Sequence, residues 1–286
     1  MNNTQAPLII GFVSDLLFSS KIDAIAEQMG CRVYWIERSN QIAPDEPDIR
    51  QKQLAEHVSG PGLVLLDTIT RQHPSLMIFD LSNNAVPWRE WLPLLKSAPA
   101  TRRVPVICYG SHVDAETLKF ARSAGADTVL ARSGFLTALP DLILQYTLLP
   151  DSAMLTELCS QELSQLAIKG LQQFNRGEYY EAHETLEEAW NDDDTPGREL
   201  YRAILQVAVA YLQIERRNYR GAIKMLLRLR QWIDPLPDIC RGVDVAQLRR
   251  DANKIYATLI QLGPERIDEF DTQLIHQVNY TQPLNG

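Results

Sequence analysis

Apolar residues follow two regimes along the chain, and the change comes near residue 150. Before it, short unbroken apolar runs alternate with segments of helical periodicity. LIIGFV (8–13), RVYWIE (32–37), LMIFDL (76–81), VPVICY (104–109) and TVLA (128–131) have the length and β-branched or aromatic content of strands buried on both faces. Amphipathic stretches at 16–29, 62–72, 114–124 and 135–148 predict helices, the first of them stopping at Gly30. Residues 38–60 are charged, carry Pro and Gly near their ends, and read as an inserted loop with a helical piece. Five βα units of this kind predict a five-stranded doubly wound parallel sheet over 1–150.

Pro150-Asp151 ends that alternation, and no strand-like run follows. Residues 151–286 read as an all-helical bundle with helices near 152–175, 178–190, 196–217, 219–233, 245–262 and 265–277. The stops are chemical. Gly177 can take the left-handed C-cap conformation, Thr195-Pro196 sets a cap before an N1 proline, and Asn218 and Asp244 are placed to cap the helices after them. At an offset of 40 residues Tyr179, Ala182 and Leu186 meet Tyr219, Ala222 and Leu226. In that alignment His183 and Glu187 stand where the second copy has Ile223 and Leu227.

Charge narrows the partners. The chain is 286 residues with a net charge of −8. Its first 150 residues hold 13 Lys+Arg against 15 Asp+Glu, and the rest hold 15 against 21. Neither half has the basic footprint that phosphate-backbone binding requires, so nucleic acid is not an expected partner. No apolar stretch approaches the roughly 20 residues of a membrane span. MNNTQAPLIIGFV lacks the basic region of a signal peptide. Cys31, Cys108, Cys159 and Cys240 form no CxxC pair and read as free buried thiols in a reducing compartment. A cytoplasmic protein is expected.

Within 6–149, LMIFDL ends in Asp80, VPVICYGS supplies a fourth strand, and SAGADTVLARSGF (123–135) turns into a fifth. These features resemble a response-regulator receiver domain, which implies a flavodoxin-type strand order and puts Asp80 at the phosphoacceptor position. The family's remaining chemistry departs. Its acidic pair falls on Val13 and Ser14 with Asp15 one place beyond, its hydroxyl position falls on Gly110 with Ser111 next, and its lysine position holds Arg132. Phosphoryl transfer needs a cation on the transferred oxygens, and hard cations depend on carboxylates. Asp80 is therefore read as an inactive phosphoacceptor, and Arg132 as its ion-pair partner.

FNRGEYYEAHETLEEAW (174–190), LYRAILQVAVAYLQ (200–213) and RNYRGAIKML (217–226) carry the densest chemistry. Residues three and four apart share a helix face, so His183 and Glu187 project together. The stripe Glu199, Arg202, Gln206 and Gln213 faces one way on its own helix. Tyr180, His183, Glu187, Trp190, Glu199, Arg202 and Gln206 form the candidate binding set. One reading makes it a hydrogen-bonded polar network, because buried polar groups need partners. A second makes it a pocket for a small ligand or peptide. A third makes His183 and Glu187 ligands of a divalent metal ion, with Glu184 as the candidate catalytic acid or base acting through a shared water. A catalytic zinc usually takes three protein ligands, and the third would be Glu199 or another carboxylate. The three blocks resemble an all-helical family of unknown function, number three hundred and nine. Some of its members are labelled predicted metal-dependent hydrolases.

The expected function is that of a cytoplasmic binding or regulatory protein, a degenerate receiver joined to a helical module that binds a small ligand or a protein partner. The alternatives are a metal-dependent hydrolase, whose cofactor would be that divalent ion, and a helical-repeat scaffold. No other cofactor is indicated, and homo-oligomerisation is left open.

Overall fold

The computed structural model describes residues 6–42, 60–147 and 152–281. The chain divides into two compact units, Met1–Leu149 and Pro150–Gly286. In the first unit β1 (Leu8–Phe12), β2 (Arg32–Trp35), β3 (Leu76–Asp80), β4 (Val106–Gly110) and β5 (Thr128–Ala131) form one parallel sheet in the order β2-β1-β3-β4-β5. This is the flavodoxin-type order, which reverses between β1 and β3. Every residue of β1, β3 and β4 is buried, as unbroken apolar runs require when helices cover both faces.

Those helices are α1 (Leu16–Gln28), α2 (Pro61–Gln72), α3 (Trp88–Ser97), α4 (Ala115–Ser123) and α5 (Arg132–Tyr146). On the face covered by α1 and α5, Ile9, Ile22, Tyr109, Phe135 and Leu139 share one core. Gly11 has a packing reason: a Cβ there would fall 2.0 Å from the Trp35 ring lying across β1. Helix α3 was not apparent from periodicity, since Pro93 and three charged residues interrupt WREWLPLLKS; it forms by burying Trp88, Trp91, Leu92 and Leu95. Of the loop read at 38–60, Ser39–Gln41 is a 3-10 turn and 43–59 lies outside the described residues.

The second unit contains α6 (Ser152–Cys159), α7 (Gln165–Asn175), α8 (Tyr179–Asp192), α9 (Glu199–Glu215), α10 (Tyr219–Ile233) and α11 (Val245–Leu262). Helices α7 to α10 pack in chain order, each on the next. The run ILQVAVAYL makes α9 buried on nearly all sides, which places it inside the bundle. Asn218 caps α10 through Gly221 N–H at 3.0 Å, and Asp244 caps α11 through Gln247 N–H at 2.8 Å.

Four expectations are corrected here. The helix expected over 152–175 is two, because the Ser164 hydroxyl accepts from Ala167 N–H at 3.1 Å and starts α7 afresh. The helix expected over 265–277 is a pair of 3-10 turns, Pro264–Glu269 and Thr272–Leu274. Strands do follow residue 150: β6 (Ile239–Cys240) and β7 (Val243–Asp244) pair antiparallel. Their turn residues Arg241 and Gly242 both have left-handed φ, 50° and 78°, the geometry of a two-residue hairpin that twists with its strands. Finally, only Cys31 and Cys108 are free and buried, whereas Cys159 and Cys240 form a disulfide across 81 residues. No local spacing announces such a bond; only the fold brings the end of α6 to the hairpin.

The 40-residue echo is structural. Glu178 N–H donates to Gln173 O at 3.0 Å and Gly177 N–H to Phe174 O at 2.9 Å, while Asn218 N–H donates to Gln213 O at 2.8 Å and Arg217 N–H to Ile214 O at 2.9 Å. Gly177 and Arg217 take the same left-handed turn, φ 79° and 57°. The same C-terminal capping geometry therefore joins α7 to α8 and α9 to α10.

Candidate functional site

The first unit opens a cleft of about 570 Å³ at the carboxyl edge of its sheet, lined by Phe18, Ser82, Ser111, His112, Arg132 and Ser133 among others. Ligands of doubly wound folds sit at this edge. Asp80 ends β3 beneath it, 2% exposed. One of its oxygens accepts from the Ser82 amide at 2.9 Å and the Ser82 hydroxyl at 2.5 Å. Its other oxygen lies 3.8 Å from an Arg132 nitrogen.

Arg132 serves two carboxylates, because its second terminal nitrogen bonds Asp15. Asp15 is also the N-cap of α1, accepting from Phe18 N–H at 3.1 Å. That amide first, and Arg132 second, hold the Asp15 carboxyl below its usual range. The guanidinium lies over the Phe18 ring, 4.4 Å from its centroid, so it is fixed by charge on its edges and by the ring on its face. Beside Asp80, burial pushes the Tyr109 phenol up, and the Asp80 charge adds to the shift.

The positions flanking this site follow from β1 and β4. Val13 joins the core and Ser14 is exposed. Gly110 ends β4 without a side chain, and Ser111 after it lines the cleft. Arg132, which lines the cleft, is therefore the shared counter-ion of two carboxylates, Asp15 and Asp80.

In the second unit the candidate residues separate into two sets. Tyr179, Ala182, Thr185, Leu186 and Ala189 form the buried face of α8. Tyr180, Glu184 and Glu187 lie on the exposed side, and His183 is half-buried on the flank between. The Tyr180 hydroxyl bonds Glu184, which raises the phenol above its ordinary value. Trp190, one turn beyond Glu187, meets α9 instead: Arg198 and Arg202 lie over its ring at 4.8 and 4.7 Å. Arg202 also lies 3.8 Å from the Trp232 ring centroid on α10. One guanidinium is thus held between two indoles, joining three helices through contacts that strengthen as water is excluded.

Glu199 sits 3.7 Å from Arg202, beyond hydrogen-bond length. Gln206 lies one turn further along α9 and is 6% exposed. The Gln206 Oε1, Glu199 Oε2 and Trp190 Nε1 atoms are buried without a hydrogen-bond partner. Buried atoms of this kind carry an energetic cost that invites a structural or functional explanation. Trp190, Glu199 and Arg202 are therefore brought together with Gln206 one turn away, while Tyr180, Glu184 and Glu187 stay on the solvent side. Among the described residues no three His, Cys, Asp or Glu side chains converge as metal ligands. His183 and Glu187 alone fall short of the three that a catalytic zinc usually takes.

Two participants lie outside the candidate binding set, Trp232 reading from the sequence only as core or groove lining. Trp232 is set 30 residues from Arg202, and only helix packing brings them together. Arg241 is a buried hub: its guanidinium bonds Asp193 and the Tyr201 hydroxyl, both at 2.6 Å, and the Thr195 hydroxyl at 3.0 Å. Gly197 permits this, since a Cβ there would lie 2.7 Å from the guanidinium. An arginine in the third position of ICRGVD, the first of two turn residues, carries no signal of burial.

The fold and cleft together define a receiver-like α/β unit followed by a helical unit. The family described as a domain of unknown function (DUF309) matches residues 167–225, which span α7, α8, α9 and the start of α10. The first unit is similar to the receiver domain of a sensor histidine kinase of Pseudomonas aeruginosa, solved with magnesium in its active-site cleft. The identity is 14% over 50% of this chain and 98% of that one, with a TM-score of 0.38. It is also similar to the receiver domain of a histidine kinase from Syntrophus aciditrophicus, at 17% identity over 50% and 90% with a TM-score of 0.38. A third likeness is the phosphorylated cyanobacterial phytochrome response regulator RcpA, at 14% over 50% and 94% with a TM-score of 0.36. No curated protein matches the chain. No helix among the described residues is long and apolar enough to cross a membrane.

Proposed function

We propose that this is a cytoplasmic binding or regulatory protein, in which a receiver without phosphotransfer accompanies a helical module that binds a small ligand or a protein partner. The observation that carries it is the double use of Arg132. Asp15 and Asp80, the two carboxylates paired with the cleft-lining Arg132, are already matched by that one guanidinium. A divalent ion would have to displace that cation, and hard cations need several oxygen ligands to repay their dehydration. The binding face of this reading is Trp190, Arg202 and Trp232, with Glu199 beside Arg202 and Gln206 one turn along α9; Tyr180 and Glu187 lie on the exposed side of α8 and His183 on its flank. The net charge of −8 favours a protein or small molecule over nucleic acid.

Acetyl phosphate with Mg²⁺ is expected to leave the mass of the chain unchanged. A gain of one phosphoryl group that Asp80→Asn abolishes would show that the cleft still transfers phosphate, and would end the degenerate-receiver reading. On the helical side, His183→Ala is expected to change stability by no more than about 0.5 kcal/mol, as for a surface position outside the bonding network. A loss of about 1–3 kcal/mol, the cost of orphaning a buried group, would return His183 to architecture. Metal-dependent hydrolysis through His183, Glu184 and Glu187 is the rival. Among the described residues no third metal-ligating side chain joins that pair.

A further inference from the structure

We propose that the Cys159–Cys240 bond is a redox-exchange site for an external dithiol, and that its reduction loosens the loop that seats the Trp190–Arg202–Trp232 cluster. The proposal rests on the reading of that cluster as a binding face in a cytoplasmic protein. In a reducing compartment a disulfide is usually transient and catalytic or redox-sensing, not a permanent staple.

The bond sits at a junction. Cys159 is the last residue of α6, an eight-residue helix whose packing partners include the turn Pro196–Arg198 and β6. Cys240 ends β6, and the next residue is Arg241. The Arg241 amide donates to Cys159 O at 2.6 Å, and its guanidinium reaches Leu158 O at 3.4 Å and Gln161 at 3.3 Å. The same guanidinium holds Asp193, Thr195 and Tyr201. One side chain therefore ties the end of α6 to the loop between α8 and α9, and the disulfide holds that side chain's own backbone against α6. Arg241 adopts φ 50°, a conformation that costs a non-glycine residue energy and persists only where its surroundings impose it. Arg198, three residues beyond Thr195, lies over Trp190. Covalent bond, Arg241, loop 193–198 and tryptophan cluster form one continuous chain of contacts.

Access comes from α6. Cys159 is followed by exposed Ser160 and Gln161, so opening that single turn uncovers its sulfur. A thiolate of the dithiol attacks Cys159 Sγ, the Sγ–Sγ bond breaks, and Cys240 leaves as a thiolate that takes a proton. The second thiol of the reductant then attacks its own first sulfur, closes the reductant's disulfide and frees Cys159. Two electrons and two protons pass from the dithiol to the protein.

The test uses the full chain and two readouts that contain no ligand, so its failure is distinct from failure of the binding-face reading. Alkylation under denaturing conditions counts thiols, and hydrogen exchange maps the loop. Without reductant, two of the four cysteines should alkylate. After dithiothreitol or a thioredoxin-type dithiol protein under native conditions, all four should. Amides of 158–161 and 193–201 should then exchange roughly tenfold faster or more, while the interior of α8 keeps its protection. Cys159→Ser and Cys240→Ala should each show the fast pattern without any dithiol, so one poorly folding variant does not decide the matter. Three outcomes overturn the proposal: four free thiols in an air-oxidised sample, a bond that yields only after unfolding, or full reduction with unchanged exchange.

Discussion

Arg241→Ala is expected to destabilise the helical unit by about 3–5 kcal/mol, the loss seen when one partner of a buried ion pair is removed. The Arg241 side chain is 4% exposed and Asp193 16%. Without the guanidinium, Asp193 keeps a desolvated charge, the Tyr201 hydroxyl keeps only the Ser164 amide as donor, at 3.4 Å, and Gly197 borders a void. The pH dependence has a definite sign. Burial works to raise the Asp193 carboxyl, but the Thr195 hydroxyl and amide, then Arg241, outweigh it and hold it below 3.8. A carboxyl depressed on folding contributes stability that is present above its unfolded value and lost as pH falls through the folded one. The gap between parent and Arg241→Ala should be flat from neutral pH to about 4 and shrink below that. Urea unfolding, followed by the slowest-exchanging amides of α9, measures it. A gap under about 1 kcal/mol, or one that widens in acid, would show that Arg241 is not the hub.

Leu186→Ala is expected to cost about 3 kcal/mol or more, within the range for deleting a fully buried leucine. Leu186 is 0% exposed at the centre of α8, and α7 approaches it across Gly170. A Cβ on Gly170 would fall 2.6 Å from Leu186 Cγ and 3.5 Å from its backbone nitrogen. Gly170→Ala alone should therefore destabilise by overpacking, about 1–3 kcal/mol less the roughly 1 kcal/mol that alanine gains over glycine inside a helix. The two changes should not add. With Leu186 shortened, the clash disappears and the new methyl fills part of the cavity, so the double variant should be more stable than the sum of the single losses. Strict additivity of the three unfolding midpoints would mean that α7 and α8 meet elsewhere.

How much was legible depends on how local the physics is. The five strands and their α/β class could be read because each is a short apolar run between turn residues. The caps at Asn218 and Asp244 could be read because a capping side chain bonds an amide three residues on. Helix α3 escaped because Pro93 and its charges break the periodicity, and its two tryptophans are recruited by packing. The hairpin at 239–244 escaped because two strands of two residues carry no periodicity.

The candidate site divides in the same way. The i, i+4 spacing puts His183 and Glu187 on neighbouring turns, and equal burial with Ile223 and Leu227 would follow only if both helices covered equivalent faces. The structure differs: Ile223 and Leu227 are 0% and 2% exposed, whereas His183 is half-buried and Glu187 exposed. Identical helix starts fix which residues share a face, but the next helix decides whether that face is covered. Asp15 shows the same limit. Its position one place beyond the receiver pattern left its role open, and its double duty as α1 cap and Arg132 partner depends on where α5 begins.

By itself, the sequence determined the alternation of strands and helices, the helical second half, the helix faces and the acidic character. These follow from side-chain period, backbone propensity and charge, which act over a few residues or over the whole composition. Tertiary structure alone decided that Arg132, read from the sequence as the partner of Asp80, also bonds Asp15, that Arg202 lies between Trp190 and Trp232, and that Cys159 bonds Cys240 beside the Arg241 hub. Each of those joins positions 12 to 117 residues apart, and such contacts depend on how whole elements pack, for which no spacing rule exists in the chain.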